Sequence, residues 1–176
     1  KIEKDINKLE INSKNILSTK FLCISNGLEE SKEIITKGNE KVLKARFADA
    51  KFFIETDKNT TCLIRNQKIK NISYLSGLGN ISDRVIRISN TAKKIHSYLK
   101  DDSLDLKKIE EACKFSKNDL CSEIVYEFPE LQGIMGGKYL KNEGFCDEIC
   151  LAVAEHYLPT FYKDALPSTK FGAIVS

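Results

Sequence analysis

Histidine is nearly absent from this 176-residue sequence: only His96 and His156 occur. Metal-assisted hydrolysis and general-base catalysis draw on clustered imidazoles and carboxylates, so both chemistries start short of side chains. No Cys-x-x-Cys pair occurs among the six cysteines, which removes the commonest zinc pattern. Cys146 and Cys150 stand four apart on one helix face, with no further ligand at zinc spacing. A chain of this length builds a core without disulfides and shows no sign of secretion. Cys23, Cys62, Cys113, Cys121, Cys146 and Cys150 are therefore expected as buried or incidental free thiols in a reducing compartment, the cytoplasm. No run approaches the roughly 18 apolar residues of a membrane span. The opening KIEKDINKLE lacks the apolar core of a signal peptide. A Gly-x-Ser-x-Gly elbow, internal repeats and low-complexity tracts are also missing.

What remains is an ordinary globular composition, 41% hydrophobic and 30% charged, enough for one domain or one domain with a small appendage. The first residue is not Met and the last stretch, GAIVS, lies in an apolar run, which predicts a piece of a longer protein. Net charge is +3 but unevenly spread. Residues 51–100 hold ten Lys/Arg against three Asp/Glu, and residues 101–176 hold eight against fourteen. Such a split either turns a basic face toward a polyanion or lets the two halves pair with each other.

KFLCIS (residues 20–25), ending at Asn26-Gly27, predicts a short strand left from a preceding domain. From Lys37 the pattern turns helical, with Asn39 as a candidate cap, a wide apolar stripe through Val42, Leu43, Phe47, Ala50, Phe53 and Ile54, and a stop at Lys58-Asn59. Residues 62–79 are ambiguous. Ile81, Val85, Ile88, Ala92, Ile95 and Leu99 recur at three- and four-residue steps, a long amphipathic helix whose polar face carries Arg84, Arg87, Lys93 and Lys94. A third helix over about 104–115 turns Leu106, Ile109, Ala112 and Cys113 inward. Ser116-Lys117-Asn118-Asp119 then reads as a cap before LCSEIVYEF. Pro129 interrupts, ELQGIMGGKYL follows, and CDEICLAVAEHYL ends at Pro159. Five or six helices with short links predict an all-α domain.

Three blocks, in order, resemble the β-subunit family of bacterial heterotetrameric glycyl-tRNA synthetase. They are GNEKVLKARFADAKFF (38–53); Leu78-Gly79 with Asp83-Arg84 and Arg87; and EFPELQGIMGGKYL (127–140) followed by EHYLP and Leu166-Pro167-Ser168. The resemblance runs from about Thr36 onward. It implies a mainly all-α, HD-domain-like helical bundle over 36–176, truncated at its C-terminal end, with 1–35 a short β-containing remnant of a preceding domain or linker. It implies a non-catalytic part of a glycine–tRNA ligase that positions tRNA(Gly), while an α subunit in an α2β2 assembly activates glycine with ATP. No cofactor in this fragment and no membrane are implied.

Arg46, Arg84, Arg87, Lys93, Lys94 and Lys138 are the candidate tRNA-binding residues, since phosphates attract clustered cations. The alternative for Arg46 and Arg84 is internal pairing with Asp49 and Asp83, slightly favoured for Arg46. A degenerate or active HD-type metal phosphohydrolase is the alternative function, and a helical protein-interaction domain a third. Where the resemblance places the metal-binding His-Asp pair, the chain reads Asn118-Asp119, so one ligand imidazole is an amide and Asp119 is expected as a helix cap. Gly133-Ile-Met-Gly-Gly-Lys138 lacks the Ser/Thr and preceding strand of a phosphate loop; Gly133 and Gly136 are expected to permit close helix packing. Neither a catalytic residue nor a metal ligand is assigned, and the class II synthetase motifs are absent.

Overall fold

Five helix starts among the described residues are set by short polar side chains placed just ahead of apolar stripes. In the computed structural model, which describes residues 20–176, helix α1 runs over Lys32–Asp57. Thr61 accepts the Ile64 N–H at 3.3 Å and starts α2 (Cys62–Lys68). Strands β1 (Ser73–Leu75) and β2 (Gly79–Asn80) form an antiparallel hairpin pairing Ser73 with Asn80 and Leu75 with Gly79. Asn80 and Asp83 build a reciprocal capping box at α3 (Ile81–Leu99): Asn80 Oδ1 accepts the Asp83 N–H at 3.0 Å and Asp83 Oδ2 accepts the Asn80 N–H at 2.9 Å. Asp105 starts α4 (Leu106–Phe115) and Ser122 starts α5 (Glu123–Glu127). α6 (Ile134–Asn142), α7 (Asp147–Glu155) and α8 (Lys170–Val175), the last capped by Thr169, complete the chain.

The chain divides into two compact units, Lys1–Leu43 and Lys44–Ser176. In the described part of the first, Asn39 Nδ2 donates to Cys23 Sγ at 3.4 Å. The strand expected over 20–25 does not form: an apolar run becomes a strand by pairing, and among the described residues no chain segment pairs with it. The short β structure lies at the hairpin instead. Residues 1–19 of the expected N-terminal remnant lie outside the described residues. Asn39 is no cap, because α1 starts seven residues earlier at Lys32. The roughly 1 kcal/mol that Gly38 costs a helix is too little to stop one of this length.

The second unit is helical around one core. Ile109, Ala112, Cys113 and Phe115 of α4 meet Ile149, Ala152 and Val153 of α7, Leu140 of α6 and Ile124 of α5. Ala50, Phe53 and Ile54 of α1 lie against this core, while Phe47 and Phe52 are exposed. The α3 stripe buries Ile81, Val85 and Ala92 as expected, but Ile95 and Leu99 stay exposed; Ile95 sits about 60° around the helix from Ala92. Leu106 at the start of α4 is likewise exposed rather than inward. A smaller cluster of Ile69, Ile81 and Val85, with Ile72 and Tyr74 against it, seats the hairpin on α3. All six cysteines are free thiols, with Cys23 exposed and Cys62, Cys113 and Cys150 buried. Among the described residues no helix is long and apolar enough to cross a membrane.

Helices α6 and α7 approach through glycine. A Cβ on Gly137 would lie 2.5 Å from the Cys150 carbonyl oxygen and 2.9 Å from the Ala154 Cβ; one on Gly136 would lie 3.0 Å from Val153. Gly133, at φ +78°, would meet the Ala154 carbonyl oxygen at 2.9 Å. The packing role expected for Gly133 and Gly136 is thus what the structure has, with Gly137 the tightest of the three. Gly137→Ala adds a favourable helix residue yet forces two backbones apart. It should lower unfolding free energy by about 1–3 kcal/mol in urea denaturation; a neutral or stabilising result would refute the close-approach reading.

Candidate functional site

Two places draw together the polar residues singled out above: the outer face where the hairpin meets α3, and a buried cluster between the Asn118–Cys121 turn, α6 and α7. At the first, Gly77 takes φ +79° in the hairpin turn, closed by Leu78 N–H to Leu75 C=O at 2.9 Å. Gly79 leaves room for the Asp83 carboxylate, which a Cβ there would strike. Asp83 is therefore held in the capping box and does not pair with Arg84. Arg84 instead lies over the Tyr74 ring, 4.5 Å from its centroid, and Arg87 approaches the same ring at 6.0 Å. Arg87 Nη1 also donates to the Leu78 carbonyl at 3.1 Å. Neither guanidinium has a carboxylate within ion-pair distance among the described residues. One aromatic ring and one carbonyl thus fix two cations without neutralising them.

The other candidate cations do not join them. Lys93 points to the opposite side of α3 and is neutralised by Glu110 of α4 at 2.6 Å. Lys94 and Lys138 are exposed. Arg46 packs on the Phe128 ring at 4.5 Å with Glu127 at 4.0 Å, so its internal partner is Glu127 rather than Asp49. Of the six, only Arg84 and Arg87 form a pair.

At the buried cluster, Asp119 does not cap its own turn. Its Oδ2 accepts the N–H groups of Gly133 (2.6 Å) and Gly136 (3.1 Å), the first turn of α6, so it caps a helix begun 15 residues later; Ser122 caps α5. Burial raises the Asp119 carboxyl above the usual carboxylate range, and the two N–H groups oppose that rise. Asn118 is fully buried, and neither its amide nitrogen nor its amide oxygen has a protein partner among the described residues. Lys117, 2% exposed, donates from Nζ to His156 Nε2 at 2.7 Å and lies 3.6 Å from the Tyr157 ring centroid.

His156 donates through Nδ1 to the Val153 carbonyl at 2.6 Å, which leaves Nε2 as the acceptor; the tautomer follows from this bonding pattern. Burial first, and the Arg84 charge second, pushes the Lys117 ammonium down to about 7. Burial and then Lys117 push His156 down to about 3. The imidazole lone pair is occupied and the amine enclosed, so this cluster offers helix-to-helix bonding rather than a base or a ligand. Among the described residues no three His, Cys, Asp or Glu side chains gather as a metal-ligand set. Burial also pushes the thiols of Cys62 and Cys113 up, to about 12 and about 11, away from nucleophilic use. His96, the other histidine, bonds the Leu104 carbonyl through Nε2 at 2.9 Å.

Asp57, which ends α1, carries a role that sequence reasoning missed. Its Oδ1 accepts the Glu123 N–H at 2.9 Å, and its Oδ2 accepts the Ile124 N–H at 3.1 Å and the Tyr139 hydroxyl at 2.7 Å. Its carbonyl accepts from the buried Arg65 guanidinium, which lies 4.1 Å from the Tyr139 ring centroid. Tyr74 and Lys117 were missed as well; only tertiary proximity marks them.

The domain is thus a helical one whose buried polar groups bond structure and whose paired free cations face outward. Residues 2–176 match the family model described as glycyl-tRNA synthetase beta subunit. The chain is 42% identical over 166 residues to the glycine–tRNA ligase beta subunit of Thermodesulfovibrio yellowstonii, covering 94% of this chain and 24% of that protein. It is 40% identical over 156 residues to the Bacillus subtilis subunit of the same name, covering 89% and 23%. It is 39% identical over 160 residues to that of Neisseria meningitidis, covering 91% and 23%. The chain belongs to the glycyl-tRNA synthetase β-subunit family, and it spans about a quarter of the length of the curated relatives it matches.

The lowered His156 fixes the sign of a pH effect. The unfolded imidazole gains a proton near 6.5 while the folded one waits until about 3. Its contribution to stability is complete above 6.5 and is lost as pH falls toward 3. Urea unfolding at pH 7 and pH 4 should show a smaller pH-dependent loss for His156→Gln than for the parent; equal losses would remove His156 as a cause.

Proposed function

We propose that this chain is a tRNA-handling part of a two-subunit glycine–tRNA ligase. It helps position tRNA(Gly) while glycine activation with ATP proceeds on an α subunit in an α2β2 assembly in the cytoplasm. The observation that carries the reading is the Arg84–Arg87 pair, immobilised against Tyr74 and free of counter-carboxylates, on a chain of this family. Phosphates are the complement of such a pair, and binding them releases counterions. The mechanism available here is orientation of a bound substrate, which supplies rate without bond making. Lys117 and His156, bonded to each other beside Asn118-Asp119, suit a structural use of that region better than hydrolysis.

Arg84→Glu and Arg87→Glu in the full-length β chain, assembled with its α subunit, should weaken tRNA(Gly) binding. The plot of log affinity against log salt should lose about one unit of slope per phosphate contact removed. Filter binding at several salt concentrations measures both. Unchanged affinity and slope would assign this face to protein contact.

A further inference from the structure

Lys117 is buried to 2% exposure without an opposite charge to hold it. Its Nζ donates to the neutral Nε2 of His156 at 2.7 Å and lies 3.6 Å from the Tyr157 ring centroid. No carboxylate stands within ion-pair distance of it among the described residues. The groups that face it come from three elements: Arg84 from α3, Asp119 from its own turn, and His156 and Tyr157 just beyond α7. Asp119 commits Oδ2 to the Gly133 and Gly136 N–H groups, which favour its ionised form. A lone pair accepts from an amine and from an ammonium alike, so a proton can enter or leave Lys117 with the bond to His156 intact.

Arg84 belongs to both places described above. Val85, next to it, packs with Ile69 and Ile81 in the cluster that Leu120 and Cys121 adjoin, so the start of α3 lies against the Asn118–Cys121 turn. The half-buried Arg84 presents its guanidinium to the Tyr74 ring at the outer face, and its charge reaches Lys117, His156 and Tyr157 inside. Burial first and Arg84 second bring the Lys117 ammonium down to about 7. His156, at about 3, and Tyr157, at about 12, each keep one charge state around neutrality. An anion laid on Arg84 offsets the charge that opposes the ammonium. Across a poorly polarisable interior that offset is felt more strongly than through water. Anion binding and protonation therefore favour each other, each by the same factor.

We infer that anion binding at Arg84 is coupled to proton uptake at Lys117, so that this face holds RNA more tightly while the buried amine is charged. The inference rests on the tRNA-handling reading and adds to it a control by pH. Where the bound state carries more protons than the free state, affinity rises as pH falls. The window is centred near 7, with the charged amine below it and the neutral amine above.

The test uses the full-length β chain assembled with its α subunit, and tRNA(Gly) transcript at fixed salt as the probe. Filter binding between pH 6 and pH 8.5 should show affinity falling about two- to tenfold as pH rises. Titration calorimetry in two buffers of different ionisation enthalpy should show net proton uptake near pH 7. Lys117→Met, close in volume and without a charge, should bind at every pH as the parent binds at pH 8.5, with the uptake gone. Arg84→Gln should bind more weakly and lose the uptake as well; it keeps the test valid should Lys117→Met misassemble. If the parent shows neither pH dependence nor uptake while Arg84→Glu weakens binding, this inference falls and the tRNA-handling reading stands. If uptake persists in Lys117→Met or in Arg84→Gln, the proton or the coupling belongs to another group and the inference is overturned. If Arg84→Glu and Arg87→Glu leave affinity and salt slope unchanged, the tRNA-handling reading falls and this inference with it.

Discussion

Two buried carboxylates, supplied from other elements, complete the N-terminal ends of two helices whose own residues leave N–H groups unmet. α6 begins at a glycine with no side chain to cap it, and Asp119 accepts the Gly133 and Gly136 N–H groups in its place. α5 is only five residues long, and Asp57 accepts the first two of its N–H groups while Ser122 accepts the third. A helix end left bare inside a core exposes orphan N–H groups to an apolar medium, at about 1–3 kcal/mol for each. A buried carboxylate without donors is costlier still. Each side is the remedy for the other.

That exchange explains why the stretch from Gly133 to Lys138 is so rich in glycine. Gly136 lets the Asp119 carboxylate reach the first turn of α6, and Gly137 lets α7 lie directly on the helix backbone. The same logic operates at the hairpin, where Gly79 leaves space for Asp83 to hold the first turn of α3. That cap fixes where α3 begins, and the start fixes which side of the helix Arg84 and Arg87 occupy. Leu78-Gly79, Asp83-Arg84 and Arg87, a set of short matches with little meaning singly, are parts of one device.

What could be read from the sequence was what neighbouring residues decide. The span of α3 was legible because its apolar stripe lies within twenty residues, although Ile95 and Leu99 at its end stay exposed and the Asn80–Asp83 cap went unread. Gly133 and Gly136 were legible because glycines among helices have few other uses. Partners separated by long stretches of chain were not legible. Nothing near Lys117 announces His156, and nothing at the end of α1 announces Glu123, 66 residues on. Arg46 shows the same limit: Asp49, one turn along, was the obvious partner, but the side chain lies across Phe128 and Glu127. The KFLCIS run failed for the converse reason. Its composition suits a strand, but a strand is a property of two segments, and composition describes one.

The last turn of α1 has a bearing on how this protein can be dissected. Asp57 is bonded to α5 and to Tyr139 of α6, and its carbonyl holds Arg65. A fragment starting at Thr61, a natural place to cut before the next capped helix, would strip the core of a carboxylate and strand a buried guanidinium. The smallest autonomous piece therefore has to reach back at least into the last turn of α1.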